Sequence, residues 1–76
     1  MDLQHRHSAV KTVRGLLEAC GPQTMGQILY ELREQVIGCN NIHDAKEYAT
    51  HALEEFKNLG VLEKQEIEGE IFYDLA

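Results

Sequence analysis

Ala49-Thr50-His51-Ala52-Leu53-Glu54-Glu55-Phe56-Lys57-Asn58-Leu59-Gly60-Val61-Leu62-Glu63-Lys64 changes its hydrophobic period at Gly60. Before that glycine, Ala45, Ala49, Ala52, Leu53 and Phe56 fall within an arc of roughly 100° if each residue turns the chain by about 100°, which makes one buried helix face. The three alanines on this stripe let neighbouring helices approach closely. After Gly60, the residues Val61, Leu62, Ile67, Ile71, Phe72, Tyr73 and Leu75 follow a period nearer two and belong to types that favour strands. The segment predicts a helix capped by Asn41 or His43 and running to about Leu59, with a strand beginning just beyond the stop at Gly60. Glu68-Gly69 predicts a hairpin turn, since Gly permits the positive backbone angle that a tight turn needs. Pairing about that tip sets Leu62 opposite Leu75 and Lys64 opposite Tyr73.

Upstream, Thr24 followed three residues later by Gln27 fits a capping box, in which each side chain satisfies a free backbone donor at a helix start. The stripe Met25, Ile28, Leu29, Leu32 and Val36 then predicts a second helix ending near Gly38, with Cys39, Asn40 and Asn41 as a short polar connection. A first helix is expected from Ser8, with Ala9, Val13, Leu16, Leu17 and Cys20 along one face and Gly21-Pro22 as its terminator. Residues 1–7 are rich in His and charge and show no apolar period. They read as a flexible N-terminal arm, leaving residues 8–76 as a single domain.

The chain has 76 residues, 43% of them apolar and 26% charged. That length leaves no room for a cofactor domain beside a substrate domain, and the apolar fraction does not describe a disordered acidic tail. No apolar run approaches the roughly 20 residues that span a bilayer, and Met1 to His7 lack a signal-peptide core, so the expected compartment is the cytoplasm, without membrane contact. Two cysteines are too few for a disulfide framework and are expected reduced.

Seven Lys and Arg stand against 13 Asp and Glu, a formal charge of -6. The imbalance is local. Through residue 40, Arg6, Lys11, Arg14 and Arg33 balance Asp2, Glu18, Glu31 and Glu34. From Asn41 onward only Lys46, Lys57 and Lys64 face Asp44, Glu47, Glu54, Glu55, Glu63, Glu66, Glu68, Glu70 and Asp74. Such asymmetry bears on partners and solubility rather than on fold.

Three short helices followed by a hairpin resemble the winged-helix (winged helix-turn-helix) superfamily over nearly the whole chain, and the quoted stretch looks like that family's third helix entering its wing. The resemblance implies an α+β domain of three helices with a C-terminal β-hairpin wing. It also implies use of the exposed third helix and wing against a macromolecule, which in many members is DNA. On these residues, the face opposite the core stripe carries Asp44, Glu47, Thr50, His51, Glu54 and Asn58, with Lys46 and Lys57 toward one flank. Glu66, Glu68 and Glu70 surround the wing tip. Basic side chains that neutralise phosphates supply most non-specific DNA affinity, so these carboxylates oppose docking on a duplex.

The expected role is therefore that of an acidic regulatory or adaptor module working through protein contacts, with Asp44, Glu47, Thr50, His51, Glu54, Glu66, Glu68 and Glu70 as the contact set. An acidic mimic of DNA seated in a basic groove is one form of that reading. The alternative is a DNA-binding transcriptional regulator acting as a homodimer, with Arg6, Lys11, Arg14, Asn41, His43, Lys46 and Lys64 as contacts. A homodimer is compatible with either role.

No catalytic arrangement emerges: the sequence has no phosphate-binding glycine loop or nucleophile elbow, and its carboxylates are spread over a helix and a hairpin. The expectation is a non-enzyme with neither cofactor nor small-molecule substrate. Cys39 precedes His43 by four residues and His51 follows eight further on, so the two histidines partly share a helical face, but no Cys-x-x-Cys or His-Glu-x-x-His pattern accompanies them and no metal site is expected. Cys20 is expected in the core and Cys39, in a connection, as the more reactive thiol. Tyr30 and Tyr48 lie off the main stripes and read either as exposed interface anchors or as seam packing.

Overall fold

The computed structural model describes residues 3–36 and 39–76. Helix α1 spans Leu3–Cys20, a two-residue strand β1 follows at Gln23–Thr24, and helix α2 covers Met25–Gln35. Helix α3 covers Ile42–Asn58, and strands β2 (Leu62–Ile67) and β3 (Glu70–Leu75) complete the chain. The strands form one antiparallel sheet in the order β1-β3-β2. Three helices followed by a small sheet with a C-terminal hairpin make an α+β domain consistent with a winged-helix layout.

Helix ends follow from local chemistry. At α2 the Thr24 hydroxyl accepts a hydrogen bond from Gln27 N at 3.3 Å, and Thr24 N donates to Gln27 Oε1 at 2.8 Å. This is the expected capping box. Asn41, rather than His43, caps α3. Gly60 closes the C-terminal turn after α3 at φ +76, a left-handed conformation that a Cβ disfavours although nothing crowds the site. The α2 terminator expected at Gly38 lies outside the described residues, and Val36 is the C-cap.

The core is built from the predicted stripes. Ala9, Val13 and Leu17 of α1 meet Ile28, Leu29 and Leu32 of α2, and Ala45, Ala49, Ala52, Leu53 and Phe56 of α3 are buried between them. Leu62, Tyr73 and Leu75 pack on this cluster from the hairpin. The register places Leu62 beside Leu75 and Lys64 beside Tyr73, as the turn at Glu68-Gly69 requires.

The structure departs from the sequence expectations at four places. Residues 3–7 are not a loose arm but the first turns of α1, so Ser8 is interior to the helix and caps nothing. Their lack of an apolar stripe reflects a helix end only partly covered by the rest of the fold. Cys20 shares the angular position of the α1 stripe but is its last residue, beyond the packed layer, and is exposed. Cys39 instead is fully buried, folded under the connection by a bond from its own N–H to the Val36 carbonyl at 3.3 Å. The strand β1 went unrecognised because two residues carry no period; it exists only because β3 offers it an edge, pairing Gln23 with Tyr73 and Thr24 with Phe72.

Candidate functional site

Burial of one side of α3 dictates what the other side can do. Ala45, Tyr48, Ala49, Ala52, Leu53 and Phe56 face inward, which turns His43, Glu47, Thr50, Glu54 and Asn58 to solvent, with His51 half-buried at the border. Lys46 and Lys57 are exposed on the flank nearer Leu53. Glu47 and Glu54 lie seven residues apart, about two turns, so their carboxylates stand on one line with Thr50 between them. Among the described residues, this central line carries no Lys or Arg.

Asp44 has a different job from its neighbours. Its backbone N–H donates to Asn41 Oδ1 at 2.9 Å, and its Oδ2 accepts from Asn41 Nδ2 at 3.0 Å. An acidic side chain there also complements the partial positive charge of the α3 N-terminus. Asp44 and Asn41 are thus committed to the cap, leaving Glu47 and Glu54 as the free carboxylates of the central line.

The wing supplies a second acidic cluster. Glu68 and Gly69 form its two-residue turn with φ +53 and +82, the doubly left-handed geometry that matches hairpin twist. Glu66, Glu68 and Glu70 are all exposed around it. Ile67 and Ile71 are also exposed there, at 49% and 45%, giving the acidic tip an apolar component. The alternation of the strands could have revealed the exposure of Ile71, since the core-facing side of the hairpin continues past Tyr73 to Ile71, further than the helices reach, while Ile67, opposite Glu70, belongs to the other face.

Between α3 and the wing lies an open cleft of about 230 Å³, lined in part by Thr50, Leu53, Glu54, Lys57, Lys64 and Tyr73. The Lys64 ammonium stands 5.9 Å from the Tyr73 ring centre, a cation-π contact that draws it over its cross-strand neighbour.

The basic residues are spread over several elements, with Lys57 and Lys64 lining this cleft and Lys46 on the flank of α3. Lys11 and Arg14 are exposed on α1. Arg6 is half-buried, lining a groove with Glu54, Glu55 and His51, and its Nε is shielded from solvent without a hydrogen-bond partner. Its placement in that groove differs from a display of its whole guanidinium to phosphate.

Burial, followed by the nearby Asp44 carboxylate, pushes the Cys39 thiol above its ordinary value, which disfavours the reactive thiolate. Cys39 therefore does not act as the accessible thiol. Among the described residues, no group of three or more His, Cys, Asp or Glu is arranged to hold a metal ion. Tyr30 is exposed, while Tyr48 is buried in the core. No helix of the described residues is long and apolar enough to cross a membrane. No family model, curated protein or solved structure significantly matches the chain.

Proposed function

We propose that this chain is a winged-helix adaptor or regulatory module of the cytoplasm, which uses the outer face of α3 and the wing to hold a basic surface of a partner protein. The observation that carries this reading is the pairing of two exposed acidic groups, Glu47 and Glu54 along α3 and Glu66, Glu68 and Glu70 around the wing tip, with Thr50 and His51 beside the first. Carboxylates on a shared surface raise the local concentration of basic partners and speed encounter. The exposed Ile71, on the hairpin face that also carries Lys64, Glu66 and Tyr73, supplies an apolar contact that charge alone lacks. Neither catalysis nor a cofactor has a part in this role.

The test uses two probes, a labelled Lys/Arg-rich peptide and a labelled mixed-sequence DNA duplex, each titrated with the protein at low salt and followed by fluorescence anisotropy. The adaptor reading expects the peptide to bind with strong salt sensitivity and the Glu47→Lys/Glu54→Lys double variant to lose that binding. The duplex is expected not to bind, and the double variant to gain weak non-specific DNA affinity as repulsion is removed. Salt-sensitive binding of the unaltered protein to the duplex would overturn the adaptor reading in favour of a DNA-binding regulator.

A further inference from the structure

Among the described residues, the strand order β1-β3-β2 leaves β2 at the sheet edge, paired on one side with β3. The direction of its backbone groups follows from one bond. Ala76 N donates to the Val61 carbonyl at 2.7 Å, which makes 61 and 76 a hydrogen-bonded position of the ladder although the Val61 N–H itself turns back to the Phe56 carbonyl, and alternation along an antiparallel ladder makes Glu63, Gln65 and Ile67 the residues bonded to β3. Leu62, Lys64 and Glu66 therefore direct their N–H and C=O groups outward, to the open edge. Lys64 and Glu66 are exposed, and among the described residues no other strand pairs with those groups.

We propose that two copies of this chain pair along this edge, β2 against β2, antiparallel about a two-fold axis between the two Gln65 residues. The join would make one continuous sheet from two three-stranded ones. Charge selects the register. A two-fold pairing centred on Gln65 sets Lys64 of each copy opposite Glu66 of the other, twice, with no like charges face to face. Centring on Lys64 sets lysine against lysine, centring on Glu63 sets glutamate against glutamate, and centring on Glu66 does the same. Opposite charges directly across strands are favourable and like charges unfavourable, so the Gln65 register is the self-complementary one. A charged edge ordinarily discourages strand pairing. Here the charges disfavour the registers centred on Glu63, Lys64 and Glu66 and favour the one centred on Gln65.

Lys64 is already drawn over Tyr73 on the β3 side, and the second copy's Glu66 would approach it from the other. The outer line of α3, with Glu47 and Glu54, takes no part in this pairing. The self-association does not rest on the adaptor reading, although both use Glu66. A contact of about five residues per strand falls below the size of stable interfaces, and each copy carries -6, so the dimer is expected to be weak, populated above roughly hundreds of micromolar.

Sedimentation equilibrium over a concentration series to the millimolar range, with parallel amide NMR spectra, tests this. Dimerisation is expected, with concentration-dependent shifts at the Lys64 and Glu66 amides exceeding those at Glu63 and Gln65. Glu66→Lys is the decisive variant. It reduces the net negative charge, so a dimer limited by overall repulsion would strengthen, whereas the proposed register sets two lysines opposite each other twice and weakens association by about tenfold. Lys64→Glu is expected to weaken it as well, and the Lys64→Glu/Glu66→Lys exchange, which restores both opposite pairs, to recover it. A monomer at every concentration, or a dimer strengthened or unmoved by Glu66→Lys, overturns the proposal. So does a double exchange that fails to recover association while its circular dichroism spectrum remains native.

Discussion

Asn41 and Asp44 exchange two hydrogen bonds across the first turn of α3: the Asn41 Oδ1 accepts from the Asp44 backbone at 2.9 Å, and its Nδ2 donates to the Asp44 carboxylate at 3.0 Å. One amide thereby satisfies an orphan helix donor and anchors an acidic side chain where the helix dipole favours it. Asn41→Ala should destabilise the domain by about 1 kcal/mol, read as a lower urea midpoint with an unchanged slope. Asn41→Ser, which keeps a capping oxygen, should recover most of the loss. If both substitutions cost the same, the side-chain cap contributes little to stability.

The two thiols should separate in a labelling experiment. Cys20 is exposed and Cys39 fully buried. A thiol reagent should modify Cys20 at once in the native protein and reach Cys39 only at the rate of opening or on addition of denaturant. Mass spectrometry of the digested product assigns the modified residue, and rapid labelling of Cys39 would contradict its burial.

Cys39 also gives stability a pH dependence. Its folded-state pKa is raised, by burial first and by Asp44 second. Below the ordinary thiol value of 9.0 both states hold the proton, and the burial contributes its full stability. As pH rises beyond that value the unfolded thiol ionises first, the folded state holds more protons, and stability falls until the folded thiol ionises too. Urea midpoints measured on either side of this value should therefore decline on the alkaline side, by less in Cys39→Ala than in the unaltered chain. Equal declines would remove Cys39 as the cause.

Glu68 occupies a left-handed position, φ +53, that its side chain disfavours. Glu68→Asn or Glu68→Gly keeps the doubly left-handed turn with a residue suited to it and should stabilise the domain by about 0.5–1 kcal/mol. Thermal unfolding checks this. A lower melting temperature would mean that the Glu68 side chain makes a compensating contribution.

Ala52 is fully buried where α3 meets the other helices. Ala52→Leu should cost roughly 1–3 kcal/mol or more through overpacking, while the same substitution at exposed Thr50 should stay near neutral. Comparable losses at both sites would contradict the assigned inward face.

Most of this architecture was legible along the chain because it depends on local chemistry. The Thr24–Gln27 box, the α3 stripe, the stop at Gly60 and the hairpin register about Glu68-Gly69 each require only residues a few positions apart, or a turn that forces the pairing after it. The acidic character of α3 and the wing followed equally from residue type and helical angle. Side chains at element ends were not legible in this way. Cys20 and Cys39 exchanged their expected environments because helical angle says which way a side chain points but not whether another element extends far enough to cover it. Residues 3–7 became helix, Tyr48 entered the core while Tyr30 stayed out, and Gln23–Thr24 became a strand for the same reason. Local periods and caps set the order, ends and inward faces of the elements. Which edge positions are buried, and that β2 is left with an open side, was decided only when distant segments packed, since burial and strand pairing are properties of neighbours that the chain brings together in space.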